Sequence, residues 1–280
     1  MPELPEVETI CRGIAPYLTG QHITHVTIRQ SQLRWPVPLD LNAQLAGARI
    51  AQVARRGKYL LLTSEKSKKG KKNKSGHLII HLGMSGRLWL VAKGQPAAKH
   101  DHCDFHLTND YWLRYHDPRR FGAILWTQQD PQLHPLLAHL GPEPLTDEFS
   151  ADYLYTRGKD RNQPIKTFIM DSKVVVGVGN IYANEALYQA GIRPDRMAKS
   201  IAKGRYQRLA KAIKAVLAQA IAQGGTTLKD FVGADGQPGY FQQSLAVYGR
   251  AGEPCLACSR PVKQIKLAQR STYYCSYCQR

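Results

Sequence analysis

Four cysteines fall within the last 26 residues, as C-L-A-C (Cys255, Cys258) and C-S-Y-C (Cys275, Cys278), with 16 residues between the pairs. Two C-x-x-C turns can each present two thiolates to one edge of a tetrahedral ion, and this spacing matches a four-cysteine structural zinc site. Paired disulfides are the alternative, disfavoured in a cytosolic setting. Four thiolates leave such an ion no open position, so it would hold shape and do no chemistry. The strand-like stretches KQIKLAQR and STYYC between the pairs predict a zinc-held β-hairpin with one structural Zn(2+) per chain.

Charge narrows the class of partner. Lysine and arginine number 39 against 21 acids, a formal net charge of +18, which favours a polyanion, nucleic acid first, over a merely solvated basic surface. No apolar run reaches the roughly 18 residues of a membrane span, and the start lacks the layout of a signal peptide. The expectation is a cytoplasmic, monomeric protein without membrane contact.

The first residues, MPELPEVE, lead into a helix: Val7, Ile10, Cys11, Ile14 and Leu18 recur at helical spacing, with Pro5 placed to begin it and Gly20 to end it. Seven strand-like runs follow between residues 22 and 127 (ITHVTI, KYLLLT, HLIIHL, GRLWLV, CDFHLT, YWLRY, FGAILWT), which suggest a β-sandwich or barrel. A lysine-rich stretch, EKSKKGKKNKSG (65–76), interrupts them and reads as a surface loop or a non-specific phosphate contact. Beyond the prolines at 131, 135, 142 and 144 the pattern turns helical, most clearly over 205–223.

Pro2 carries the chemical interest. Removal of Met1, usual before proline, would leave a secondary α-amine. An α-amino group titrates near 7.7–8.0 against about 10.4 for lysine, so a far larger fraction is nucleophilic at neutral pH. Such an amine can attack an aldehyde-like carbon and form an iminium. Glu3 could handle protons, or the acids here could simply favour a helix N-terminus.

Seven motifs, MPELPEVE, HLGMSGRL (81–88), DPRRFGA (117–123), VVGVGNIYANEAL (175–187), GGTTLKDF (224–231), PGYFQQSLAVYGR (238–250) and the spaced cysteines, together resemble the formamidopyrimidine-DNA glycosylases, in the family's order from residue 2 to residue 278. The resemblance implies an α+β architecture: an N-terminal β-sandwich with flanking helices, a helix-two-turn-helix region and a C-terminal zinc-finger β-hairpin. Its expected bounds are 1–134, a linker at 135–150, 151–237 and 238–280.

The resemblance also assigns roles. Pro2 is the nucleophile on C1′, Glu3 the assisting acid, Lys58 a phosphate contact that aids elimination, and Arg270 a finger arginine gripping phosphates at the lesion. Met84, Arg119 and Phe121 match residues that fill the gap left by a flipped base, a displacement that costs a few kcal/mol. His100, Arg161 and Asn180 match DNA contacts, with helix N-termini meeting phosphates. Glu185, Thr226, Thr227 and Tyr240 match lesion-pocket positions. Taken without the resemblance, Lys58 and Arg270 read as ordinary strand surface, and Met84 and Phe121 as core.

The implied activity is excision of oxidised purines (8-oxoguanine, formamidopyrimidines) from double-stranded DNA, including cleavage at abasic sites by β- and δ-elimination, in a bacterial cytoplasm with nucleoid association on DNA. The rivals are an endonuclease VIII-like enzyme for oxidised pyrimidines and a non-catalytic lesion-binding protein. The 65–76 stretch is longer and more basic than the short turn usual in the family.

Overall fold

The computed structural model describes residues 2–68, 71–224 and 245–280; the side chains of 67, 68 and 71–74 are set aside. Met1, Thr226, Thr227 and Tyr240 therefore lie outside the described residues. The chain divides into two compact units, one built mainly of Glu6–Ala138, the other of Glu3–Pro5, His139–Gln223 and Gln242–Arg280.

The first unit is a β-sandwich. Helix α1 (Leu4–Leu18) precedes β1 (Ile23–Ile28), α2 (Leu41–Leu45), β2 (Arg49–Arg56), β3 (Tyr59–Lys68), β4 (Lys71–His81), β5 (Arg87–Ala92), β6 (Asp101–Leu107), β7 (Tyr111–His116) and β8 (Ala123–Thr127). The strands form two antiparallel four-stranded sheets, ordered β1-β6-β7-β5 and β2-β3-β4-β8. Between them alternate residues point inward: Val26, Phe105 and Leu113 from one sheet, Leu60, Leu62, Leu78, Ile80 and Ile124 from the other. The stripe Val7, Ile10, Ile14 and Leu18 of α1 joins the same cluster, as the helical spacing predicts.

Two expectations change here. The lysine-rich stretch is not a loop between strands: β3 and β4 run into it, with Lys66 opposite Lys74 and Lys68 opposite Lys71. The register set by Leu60 against Ile80 and Leu62 against Leu78 simply carries the backbone ladder on past the apolar residues. Strand β2, sequence RIAQVARR, lacks clean alternation and escapes the sequence reading; its register shift between Ile50 and Gln52 shows why.

The second unit is helical with a hairpin: α3 (Ala151–Gly158), α4 (Ile165–Ile169), α5 (Asn180–Gln189), α6 (Lys203–Ala222), then β9 (Lys263–Leu267) and β10 (Arg270–Tyr274). Ser150 caps α3 by accepting from the Tyr153 N–H at 3.0 Å. Gly158 packs where any side chain would overlap Tyr206 of α6. The β9–β10 hairpin turns through Ala268 and Gln269, both left-handed (φ 45° and 61°). A two-residue turn of that hand normally takes Asn or Gly, so Ala and Gln hold it under strain. Among the described residues no helix is long and apolar enough to cross a membrane.

Candidate active site and zinc centre

In the first unit, two loops carry Met84, Arg119 and Phe121. Met84 and Phe121 are exposed although large and apolar, at 44% and 45%; they are not core residues. The Arg119 guanidinium sits over the Phe121 ring, 4.7 Å from its centroid. Asp117, fully buried, ties the two loops together: its carboxylate accepts from Ser85 Oγ at 2.7 Å, the Gly122 N–H at 2.8 Å and the Tyr115 hydroxyl at 3.3 Å. Ser85 Oγ in turn accepts from the Arg119 N–H at 3.2 Å. Gly83, at φ 62°, lies so close to the Phe121 backbone that no side chain fits. Burial, with the Asp117 charge second, holds the Tyr115 hydroxyl well above the usual phenol range.

The loop before Met84 is braced by His81, whose Nδ1 accepts from the Gly83 N–H at 3.1 Å. Burial, then the Lys58 and Arg34 cations, push His81 down to about 4, so it is a neutral acceptor at any physiological pH. Lys58 lies in the β2–β3 turn beside Gly57, which has φ 56°. Arg55 fixes that turn, donating from Nε to Glu8 at 2.6 Å and from a terminal nitrogen to the Gly57 carbonyl at 2.9 Å. Burial opposes the Glu8 charge, but the hydrogen bonds from Arg55 and Arg12 prevail and hold its carboxyl below the usual range. His100 precedes β6, its carbonyl accepting from the Asp117 N–H at 3.1 Å. Pro2, half-buried, directly precedes Glu3 in the chain.

In the second unit, Glu3 is buried to 3% exposure. Its carboxylate accepts from the N–H groups of Gly179 (2.8 Å), Ile181 (3.0 Å) and Tyr182 (3.4 Å), capping the N-terminus of α5. A Cβ at Gly179 would overlap that carboxylate, and one at Gly177, at φ 84°, would overlap Leu4. This explains both glycines of VGVGN. At this helix start the N–H groups at 179, 181 and 182 are given to Glu3, whose carboxylate lies at the positive end of the helix dipole. Asn180 donates from Nδ2 to the Ser271 carbonyl at 3.1 Å.

Arg270 is exposed at the start of β10, directly after the strained turn. Its strand is gripped from the helices. Lys166 of α4, 1% exposed, donates to Thr272 Oγ1 at 2.6 Å and to the Ser271 carbonyl at 3.1 Å. Asn184 of α5 accepts from the Tyr273 N–H at 2.7 Å. Burial, then the Arg270 charge, push the Lys166 ammonium down to about 8, against the pull of Glu3. Sequence reasoning missed Lys166 and Asp117; a lysine amid the apolar run IKTFI was the one signal available. Arg161 is exposed between α3 and α4, and the Glu185 carboxylate accepts the N–H groups of Ala246, Val247 and Tyr248 at 2.7–3.0 Å.

The cysteine geometry fits a metal. The four Sγ atoms of Cys255, Cys258, Cys275 and Cys278 lie within 4.8 Å of one another, with 3.9 Å from Cys255 to Cys278 and 3.5 Å from Cys258 to Cys275. A tetrahedral ion with bonds near 2.3 Å needs sulfur–sulfur edges of about 3.8 Å. The Tyr188 hydroxyl lies 3.2 Å from Cys255 Sγ, and Gln279, fully buried, accepts from the Cys275 N–H at 2.9 Å and donates to the Ile192 carbonyl at 2.8 Å. One zinc held here closes the base of the hairpin that carries Arg270.

Comparison with known proteins agrees. Residues 1–124 match the formamidopyrimidine-DNA glycosylase N-terminal domain, 140–232 the H2TH domain of the same enzymes, and 252–280 the zinc finger found in FPG and IleRS. A formamidopyrimidine-DNA glycosylase of Marinomonas sp. is 59% identical over 280 residues, covering 100% of both chains. The crystal structure of the MutM (Fpg) protein from Thermus thermophilus matches with a TM-score of 0.86 at 38% identity, over 99% of this chain and 98% of that one. Wild-type Lactococcus lactis Fpg, solved with DNA containing N7-benzyl-Fapy-dG, matches with a TM-score of 0.88 at 31% identity, over the whole of both chains. On its full length, its three matched domains and its closed cysteine site, the chain belongs to the formamidopyrimidine-DNA glycosylase family.

Proposed function

We propose that this chain is a base-excision repair enzyme that removes oxidised purines from double-stranded DNA and then cleaves the strand. The supporting observation is the anchoring of Glu3: the residue next to Pro2 is locked by three backbone N–H groups, so the chain start is held where most termini fray. With Met1 removed, the Pro2 amine attacks C1′ of the damaged nucleotide. The glycosidic bond breaks, the purine leaves with a proton, and opening of the sugar ring gives an iminium between Pro2 and C1′. Loss of a C2′ proton expels the 3′ phosphate, and a second elimination expels the 5′ phosphate. Water then releases the sugar fragment and regenerates the amine.

Glu3, as held, presents acceptor oxygens suited to steady the developing cation and to take protons. Lys58 and Arg270 contact phosphates and aid the eliminations. Met84, Arg119 and Phe121 fill the gap: Phe121 as a wedge, Met84 as a flexible apolar filler, Arg119 as a donor to the orphaned cytosine. His100, Arg161 and Asn180 contact the backbone, and Glu185, Thr226, Thr227 and Tyr240 serve the lesion pocket. The enzyme works as a monomer in the cytoplasm, on the nucleoid when bound to DNA.

Borohydride reduction tests the reading. Wild-type protein is expected to be trapped covalently on 8-oxoguanine duplex, with trapping cut at least tenfold by Pro2→Gly and abolished where Met1 is retained. Absence of a wild-type adduct would leave a non-catalytic lesion binder. Faster cleavage of thymine glycol than of 8-oxoguanine opposite cytosine would mark the pyrimidine enzyme instead.

A further inference from the structure

The second unit holds a cluster of arginines to which the proposed reaction assigns no role. Between the end of α5, the start of α6 and the cysteine turns lies an open depression of about 750 Å³. Arg205, Arg208 and Arg280 line it, Tyr188, Ala190 and Ala257 supply apolar surface, and no acidic side chain is present among its lining residues. Arg208 is exposed and makes no ion pair among the described residues. Arg205 donates to the Gly191 carbonyl, at 2.8 Å, and to the main-chain carboxylate of Arg280, the last residue of the sequence, yet its buried Nε has no partner among the described residues. Burial, then the charges of Arg196 and Arg208, disfavour its cation. The one carboxylate in the adjoining depression, Asp195, is already paired with Arg193 at 2.7 Å.

Three guanidinium groups meet here only one carboxylate, the main-chain group of Arg280, and no acidic side chain, so the hollow keeps an excess of positive charge that suits an anion. We propose that it is a docking site for an acidic peptide segment of a partner protein, whose carboxylates meet Arg205, Arg208 and Arg280 while an apolar side chain lies on Tyr188, Ala190 and Ala257. Guanidinium forks match carboxylates in pairs of parallel hydrogen bonds. The volume is that of a pocket for a small ligand or a few residues of extended chain. A duplex, by contrast, is a convex rod that needs roughly 600 Å² or more of protein surface even for a single module. The hollow also lies at the cysteine end of the hairpin. Five residues of extended chain, about 17 Å, separate Arg270 from Cys275, so a peptide docked there leaves Arg270 free for DNA.

The test uses the zinc-loaded full chain and a fluorescein-labelled decapeptide of alternating aspartate and phenylalanine, with an asparagine-for-aspartate peptide as control. Anisotropy is expected to saturate with the aspartate peptide and not with the control. Arg208→Glu and Arg280→Glu should each weaken binding at least tenfold with unchanged melting temperature and unchanged cleavage of lesion DNA. A saturating lesion duplex should not displace the peptide. Equal peptide affinity in wild type and both variants would overturn the proposal, as would displacement by the duplex. Failure of the aspartate peptide to bind while Arg208→Glu lowers the salt slope of duplex binding would assign the hollow to nucleic acid and overturn it likewise.

Discussion

At the scale of single residues, two buried ionisable groups organise what the exposed ones present. Asp117 touches no solvent but satisfies three donors, and its removal strands them. Each unpaired buried group costs about 1–3 kcal/mol, so Asp117→Ala should lower stability by about 3 kcal/mol. Lesion-duplex affinity should fall with it, because the loops of Met84 and Phe121 lose their common tie; denaturant melts and duplex titrations check both. Lys166 carries a pH signature. Its folded-state value near 8 lies below the ordinary 10.5. Below pH 8 the lysine is charged in both states and its burial cost is present in full. Between about 8 and 10.5 only the unfolded chain holds the proton, so this group makes stability rise with pH. Lys166→Met should flatten that rise in thermal melts recorded from pH 7 to 11, relative to wild type. Neither residue was legible in the sequence, since a buried aspartate or lysine looks like any other until its partners, 32 residues away for Ser85 and 106 for Thr272, are known.

At the scale of elements, the sequence showed best what local periodicity dictates. The α1 stripe, the α6 stripe, seven of the strands and the finger hairpin each follow from spacing within a few residues. Elements defined by their neighbours did not show: β2 needs β3 to become a strand, and the lysine-rich stretch becomes ladder because β3 and β4 are already in register. That hairpin invites a deletion. Removing 66–74 leaves Leu60–Leu62 paired with Leu78–Ile80 and the core intact. Filter binding to undamaged duplex at increasing salt should show a shallower slope, by about 0.9 for each phosphate that the lysines no longer neutralise. Cleavage of lesion DNA at low salt should stay near wild type.

At the scale of the whole molecule, stability is divided. The sandwich core draws on residues between Val7 and Ile124, whereas the cysteine cluster packs with Val247, Val262, Tyr188 and Tyr273. Stripping zinc with a strong chelator should unfold the finger and cut borohydride trapping by an order of magnitude or more, because a structural zinc supplies folding free energy directly. The β-sheet signal in circular dichroism should survive, and added zinc should restore trapping. The charge of +18 pointed at once to a polyanionic partner. The lysine-rich stretch showed one concentration of that charge, but the meeting of Arg205, Arg208 and Arg280 was not legible, since they stand up to 75 residues apart and come together only in the fold.

The capping of α5 by Glu3 has a further consequence for the chain start. One Cα spacing, about 3.8 Å, separates the anchored residue from Pro2, so the α-amine has the reach of a short side chain. Its local concentration at whatever lies within that radius is that of a tethered group, which a longer or looser leader would dilute. A tag fused ahead of Met1 would therefore leave the Pro2 nitrogen a non-nucleophilic amide and put the only free α-amine far from the anchored residue, and a purification handle is best placed elsewhere.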